Sequence, residues 1–229
     1  MPVKDWPLKI DLRKIILMSR PLLVTDCDEV LLHMIVPFTD WLDEVHDVHF
    51  DVDNLFHGET GDYRNAMRYK AGGLHVEPEK IWPFLKGFFE TEMHRQRPIA
   101  GAVESLAMIG QHADIVVLTN LTDDAREARA NQLKAVGIHV PVYTNQGGKG
   151  AVLAGIIAQY NPSVTVFVDD LAHQHHSVAA EAPGVMQLHF VGEPRVAHQI
   201  KTPDVAHARI DDWPTARGWI IDRLQGVSL

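Results

Sequence analysis

The chain has 229 residues, 46% hydrophobic and 22% charged, a balance that suits a globular protein with a sizeable core. Its 30 acidic and 21 basic residues give a net charge of -9, which argues against nucleic acid as a partner and leaves a small anionic substrate needing a local cation or metal. One cysteine, Cys27, excludes an internal disulfide and fits a reducing compartment. No apolar stretch approaches the roughly 20 residues of a spanning helix and no signal-peptide pattern is seen, so a cytoplasmic protein without membrane contact is expected.

Within the charged start of the chain, residues 11–18 could form a short helix packing on the core. Residues 21–26 are a short β-branched apolar run, which predicts a strand. It continues as Asp26-Cys27-Asp28-Glu29-Val30, placing two acids at a strand's carboxyl end, where α/β folds bind ligands. The segment 31–98 is rich in Trp, Phe, His and acids and reads as helical pieces, the best being 39–48 and 78–95. Between them lies a polar, glycine-containing stretch, 57–63. Arg64 and Arg68 are four apart and would share a helix face. With Glu59, Thr60, Asp62 and Tyr63 they are candidates to face a site and read a substrate. Trp41, Trp82, Phe84, Phe88 and Phe89 read as the core of this insert.

From residue 99 onward, strand patterns at 114–119, 140–143, 164–170 and 184–190 alternate with helical patterns at 102–112, 122–136, 149–159 and 172–180. Asp123 and Asp124 fit a first helical turn and Gly137 a stop. A last helix starts near Asp212-Trp213-Pro214. The alternation predicts an α/β fold, a three-layer parallel sheet with helices on both faces. The core would comprise 1–30 and 99–229, with 31–98 a small helical domain inserted after the first core strand.

Four polar stations carry the chemistry. Asp26 and Asp28 would repel each other unless a cation or a shared proton separates them. Magnesium, which prefers hard oxygen ligands, is the natural solution. One acid could then attack an electrophile while the other moves protons; the bare pair reads equally well as a turn or helix cap. Thr119, followed by Asn120, offers a hydroxyl and backbone amides to a phosphoryl oxygen, or caps the next helix. Lys149 follows Gly147-Gly148 and can reach over the sheet ends to neutralise a carboxylate–phosphate pair, or lie in solvent; the P-loop spacing is missing. Asp169-Asp170 ends a strand, a costly place for paired acids unless they meet a cation or lie at the sheet rim. Among 14 histidines, His173 could line a site entrance, but His173, His175 and His176 lack the i, i+4 spacing of a helical metal site. Cys27 should point to the strand face opposite the two acids.

In this order the stations resemble the haloacid dehalogenase (HAD) superfamily, over about residues 20–195. Its first motif, an apolar strand then Asp-x-Asp-x-Val/Thr, matches Asp26 to Val30. Its second, a strand ending in Thr or Ser, matches Thr119. Its third, a lysine at a helix start, matches Lys149, and its fourth, a strand ending in paired acids, matches Asp169 and Asp170. The insert stands where the family places a C1-type cap. The resemblance implies a magnesium-dependent phosphoric monoester hydrolase acting on a small phosphorylated metabolite, as a monomer or homodimer. Asp26 would be the nucleophile and Asp28 the general acid/base. Thr119 and Lys149, with Asn120 beside them, would hold the phosphoryl oxygens. The Asp26 carboxylate, the Asp28 backbone carbonyl and Asp170 would bind Mg2+, with Asp169 direct or through water. Dehalogenase and phosphonatase members usually lack an acid at the position of Asp28, which favours phosphate esters over haloacids. A phosphomutase, and a HAD-fold binding module without turnover, are the alternatives. Glu29 departs from the pattern. Phosphatase members often have glycine there, and the extra carboxylate would either weaken phosphate binding or point away.

Overall fold

Leu22, Leu23, Val24 and Thr25 form the first strand, β1 (Leu22–Thr25), and all four are buried. The computed structural model describes residues 19–57 and 60–226; the helix expected at 11–18 lies outside the described residues. The insert follows β1 as α1 (Ile35–Val45), β2 (Val48–Phe50), β3 (Phe56–His57), β4 (Thr60–Gly61), α2 (Tyr63–Ala66), β5 (Met67–Tyr69) and α3 (Pro78–Thr91). The core then runs α4 (Ala102–Ile109), β6 (Asp114–Thr119), α5 (Arg126–Ala135), β7 (Val142–Thr144), α6 (Gly150–Tyr160), β8 (Thr165–Asp169) and α7 (Ala172–Glu181). It ends with β9 (Met186–His189), α8 (Pro194–Ala197), β10 (Ala208–Arg209) and α9 (Trp213–Leu224).

Six strands form one sheet in the order β10-β9-β8-β1-β6-β7, and every pairing is parallel. Side chains alternate between the two faces of a strand, and the two apolar clusters divide accordingly. Leu23, Val117 and Val168 pack against α4, α5 and α9 through Leu106, Leu133 and Ile220. Leu22, Val24 and Phe167 pack against α6 and α7 through Leu153, Ile156 and Val178. The result is the expected three-layer sandwich. From β1 the chain builds outward to β6 and β7, then crosses to β8, β9 and β10 on the other side. Thr25 lies beside Val117 on one flank and Val168 on the other. The switch point, where α/β sheets bind ligands, therefore opens at the ends of β1, β6 and β8. Among the described residues, no helix is long and apolar enough to cross a membrane.

The insert is more mixed than its sequence suggested. Phe38, Trp41, Leu42, Phe50 and Phe88 form its buried centre, whereas Trp82 is 76% exposed. Where helical pieces were expected, β2 pairs antiparallel with β5, and β3 with β4. Val48-His49-Phe50 and Met67-Arg68-Tyr69 each alternate apolar and polar residues, which is a strand period in miniature. As a result α2 ends before Arg68, and Arg64 and Arg68 do not share a helix face. The two linkers of the insert pair with each other. His33 donates its amide to Arg97 O at 2.9 Å, and Ile99 its own to Leu31 O at 2.9 Å. The core segment after β9 adds Val191, Val196 and Ile200 to the insert's apolar cluster.

Candidate active site

Asp26 leaves β1 with its amide bonded to Val168 O at 2.8 Å, and the residue is only 6% exposed. Lys149 reaches it from the start of α6, with Nζ 2.8 Å from Asp26 Oδ1 and 2.7 Å from Asp169 Oδ2. Two glycines make that approach possible. A Cβ on Gly148 would press on the Ser177 side chain, and one on Gly150 would collide with the Ser177 carbonyl. The amides of Lys149 and Gly150 are instead held by Gln174 Oε1 at 2.8 Å and Ser177 Oγ at 2.9 Å on α7. Burial opposes a charge on Lys149, but Asp169 and Asp26 outweigh it and hold the amine above its usual range. The ammonium is therefore a fixed positive charge at the sheet rim.

Asp169 has both oxygens engaged, one by Lys149 and one by the Leu171 amide at 2.9 Å. Asp170 differs. Its Oδ1 is buried without a hydrogen-bond partner among the described residues. Burial, then Asp169 and Asp26, push its carboxyl well above the usual range. Burial, with Asp169 and Asp28 adding, likewise raises Asp26 against the pull of Lys149. Ligand atoms of Asp26, Asp169 and Asp170 lie within 4.8 Å of one another. Three buried carboxyls face one ammonium, and the unpartnered Asp170 oxygen fits a hard divalent cation. Thr119, at the end of β6, is 1% exposed, and its hydroxyl too has no hydrogen-bond partner among the described residues. All four expected stations thus meet at one sheet edge.

Asp28 has partners that no sequence signal pointed to. Arg129 Nη2 donates to both of its oxygens at 3.0 Å, and Gln96 Nε2 to Oδ1 at 2.7 Å. Arg129 is fully buried in α5. It also donates to Cys27 Sγ at 3.2 Å and lies 5.6 Å from the Phe89 ring centroid of the insert. Read along the helix, Arg129 is one more polar residue in a charged stretch; only the packing of α5 against the β1 loop shows its role. His175 and His189 are also buried, but neither is among the four stations. Nε2 of His175 bonds the Asp169 carbonyl at 3.0 Å, and Nε2 of His189 the Asp170 carbonyl at 2.8 Å. These two rings fix the backbone that carries the paired acids. His173 is exposed and bonded to Gln174.

Glu29 has φ 58°, a left-handed conformation that glycine adopts most easily. Its Oε1 accepts the Met34 and Ile35 amides, each at 2.6 Å. The carboxylate caps α1, which is why that helix begins at Ile35 and not at the expected position 39. Asn120 braces a loop: it donates to Gly147 O at 2.9 Å and accepts from Asn145 at 3.3 Å. Arg64 and Arg68 are exposed, and Arg68 donates to Gly73 O at 3.3 Å. Glu59 lies outside the described residues. In the insert, burial and then the charges of Asp170 and Glu29 push the Tyr63 hydroxyl up.

No family model matches the chain, and no curated protein matches it. Solved structures do. A haloacid dehalogenase-like hydrolase from Streptococcus pneumoniae superposes with TM-score 0.59 at 11% identity, covering 88% of this chain and 99% of its own. A candidate phosphoglycolate phosphatase from Haemophilus somnus gives TM-score 0.56 at 15% identity, covering 90% and 97%. A candidate β-phosphoglucomutase from Thermotoga maritima gives 0.55 at 11% identity, covering 91% and 100%. An L-2-haloacid dehalogenase is among the further matches. With its parallel sheet and these likenesses, the chain has the fold of the haloacid dehalogenase superfamily.

Proposed function

We propose that the protein is a hydrolase of small phosphate monoesters with Asp26 as nucleophile. The observation that carries this reading is the buried contact of Asp26 with Lys149 at 2.8 Å, flanked by the unpartnered polar atoms of Thr119 and Asp170. Asp26, Asp170 and the Asp28 backbone carbonyl would hold Mg2+, with Asp169 direct or through water; bound there, the ion would neutralise phosphoryl charge. In the first step Asp26 attacks phosphorus, the ester P–O bond breaks, and the leaving oxygen takes a proton from Asp28. In the second step Asp28 takes a proton from water, whose oxygen attacks phosphorus and releases phosphate from Asp26. Lys149 and the Thr119 hydroxyl meet the charge that develops on the phosphoryl oxygens. Among the described residues Asp28 Oδ2 accepts from Arg129 alone, so a lone pair is left for the proton it exchanges.

An acid at position 28, held by a buried arginine, supports phosphate esters over haloacids as substrates. The acidic surface supports a small-molecule substrate rather than nucleic acid, and the lone cysteine supports a cytoplasmic setting. The test is phosphate release from a panel of small esters, with magnesium and with chelator, for wild type and Asp26→Asn. Magnesium-dependent release that disappears in the variant is expected. Release that survives Asp26→Asn would refute the mechanism. An isomeric phosphate product without free phosphate would identify a mutase instead.

A further inference from the structure

A second group of ligating side chains gathers where the insert joins the core. Glu29, in the loop after β1, is 2% exposed and Glu193, capping α8, is 6% exposed. His33 stands on the first linker. Each carboxylate is half committed to backbone: Glu29 Oε1 accepts the Met34 and Ile35 amides, and Glu193 Oε1 accepts the Arg195 amide at 3.0 Å. The uncommitted atoms converge. Glu29 Oε2 and His33 Nδ1 are buried without a hydrogen-bond partner among the described residues. Glu193 Oε2 lies 3.5 Å from His33 Nδ1, and ligand atoms of all three residues lie within 4.8 Å of one another.

The backbone prevents the two glutamates from drifting apart. The Gly192 amide donates to the Glu29 carbonyl at 2.8 Å, and even a Cβ on Gly192 would stand only 2.8 Å from that oxygen. Two buried carboxylates held this close are costly unless a cation joins them. An imidazole nitrogen with two carboxylate oxygens suits zinc or manganese better than magnesium, which favours all-oxygen surroundings. His33 and Glu193 also line an open cavity of about 350 Å³.

We propose that Glu29, His33 and Glu193 form a second metal site, separate from the acids around Asp26, that takes a first-row divalent transition ion. An ion there joins the exit of β1, the first insert linker and the segment after β9. It thereby fixes the angle at which the insert meets the core. This inference does not depend on the phosphatase reading.

The experiment is calorimetric titration of Zn2+ into the full chain carrying Asp170→Asn, which removes the unpartnered acid of the other group. One equivalent should still bind. Adding His33→Ala to that background should weaken binding at least tenfold, and so should adding Glu193→Gln, which keeps the oxygen that accepts the Arg195 amide. Circular dichroism checks that each variant folds. The visible spectrum of Co2+ in the Asp170→Asn chain tests for a bound imidazole without altering the second site. No Zn2+ binding in the Asp170→Asn chain would overturn the proposal and leave the two glutamates sharing a proton. Affinity unchanged by both added substitutions would overturn it as well.

Discussion

Asp28 and Glu29 are adjacent, yet their carboxylates turn to different partners. Asp28 turns toward Arg129 and Gln96, while Glu29 turns toward the first turn of α1. Arg129→Met keeps most of the buried volume but leaves Asp28, itself 17% exposed, with Gln96 as its remaining partner. Removing one member of a buried ion pair costs about 3 kcal/mol, reduced here by the partial exposure of Asp28, so a loss of about 2 kcal/mol is expected in urea unfolding. Ester hydrolysis should fall at least ~100-fold, because a proton-transfer group contributes about that much and depends on its position. Full activity in Arg129→Met would mean that Asp28 needs no positioning. His189 gives a prediction for pH. Burial lowers its pKa from 6.5 to about 4, so between those values the unfolded chain binds the extra proton. Stability conferred by neutral His189 is therefore present above pH 6.5 and is lost as pH falls toward 4. The shift corresponds to about 3 kcal/mol. Urea unfolding with chelator at pH 7 and pH 4.5 should show wild type losing stability relative to His189→Gln, and parallel profiles would refute the assignment.

At the level of elements, α6 and α7 are packed so closely that their contact places Lys149. Gly150→Ala would set a methyl group against the Ser177 carbonyl and 2.8 Å from Glu181 Cβ. The helices must separate, at about 2 kcal/mol for overpacking, and Lys149 moves with α6. Thermal unfolding should drop, and phosphate release should fall by more than the stability loss explains. Unchanged activity would show that Lys149 tolerates displacement. The elements also show where local pattern was enough to read. Asp212 accepts the Thr215 amide at 2.9 Å and starts α9 where Asp-Trp-Pro predicted it. The antiparallel pairs of the insert were missed because strands of two or three residues are too short to separate a strand period from a helical one. Strand β10 has only two residues, too few to carry a period at all.

For the molecule as a whole, the clustering of Asp26, Asp169 and Asp170 is a store of repulsion that folding must overcome. A cation bound only by the folded state raises stability by about 2.7 kcal/mol at a hundredfold excess over its Kd. For a domain of this size that is a rise of roughly 5–10 °C in Tm. Magnesium should raise the Tm of wild type in that range and leave Asp170→Asn nearly unmoved. An equal rise in both would place the ion elsewhere. The insert is coupled to this centre at several points. Arg129 contacts Phe89, and Gln199 in the core holds Val52 O and the Phe56 amide at 2.9 and 3.0 Å.

The sequence by itself determined the parallel sheet and the positions of Asp26, Thr119, Lys149 and Asp169-Asp170 at the ends of its strands and the start of a helix. Each is a local signal: an apolar run sets a strand, and the polar residue that ends it must stand at the rim. Tertiary structure alone decided that Arg129 holds Asp28, that His175 and His189 fix the backbone of the acids, and that Glu29 meets His33 and Glu193. Those residues are far apart in the chain or unremarkable within it, and their roles come from burial, which removes water and obliges each polar group to find a partner.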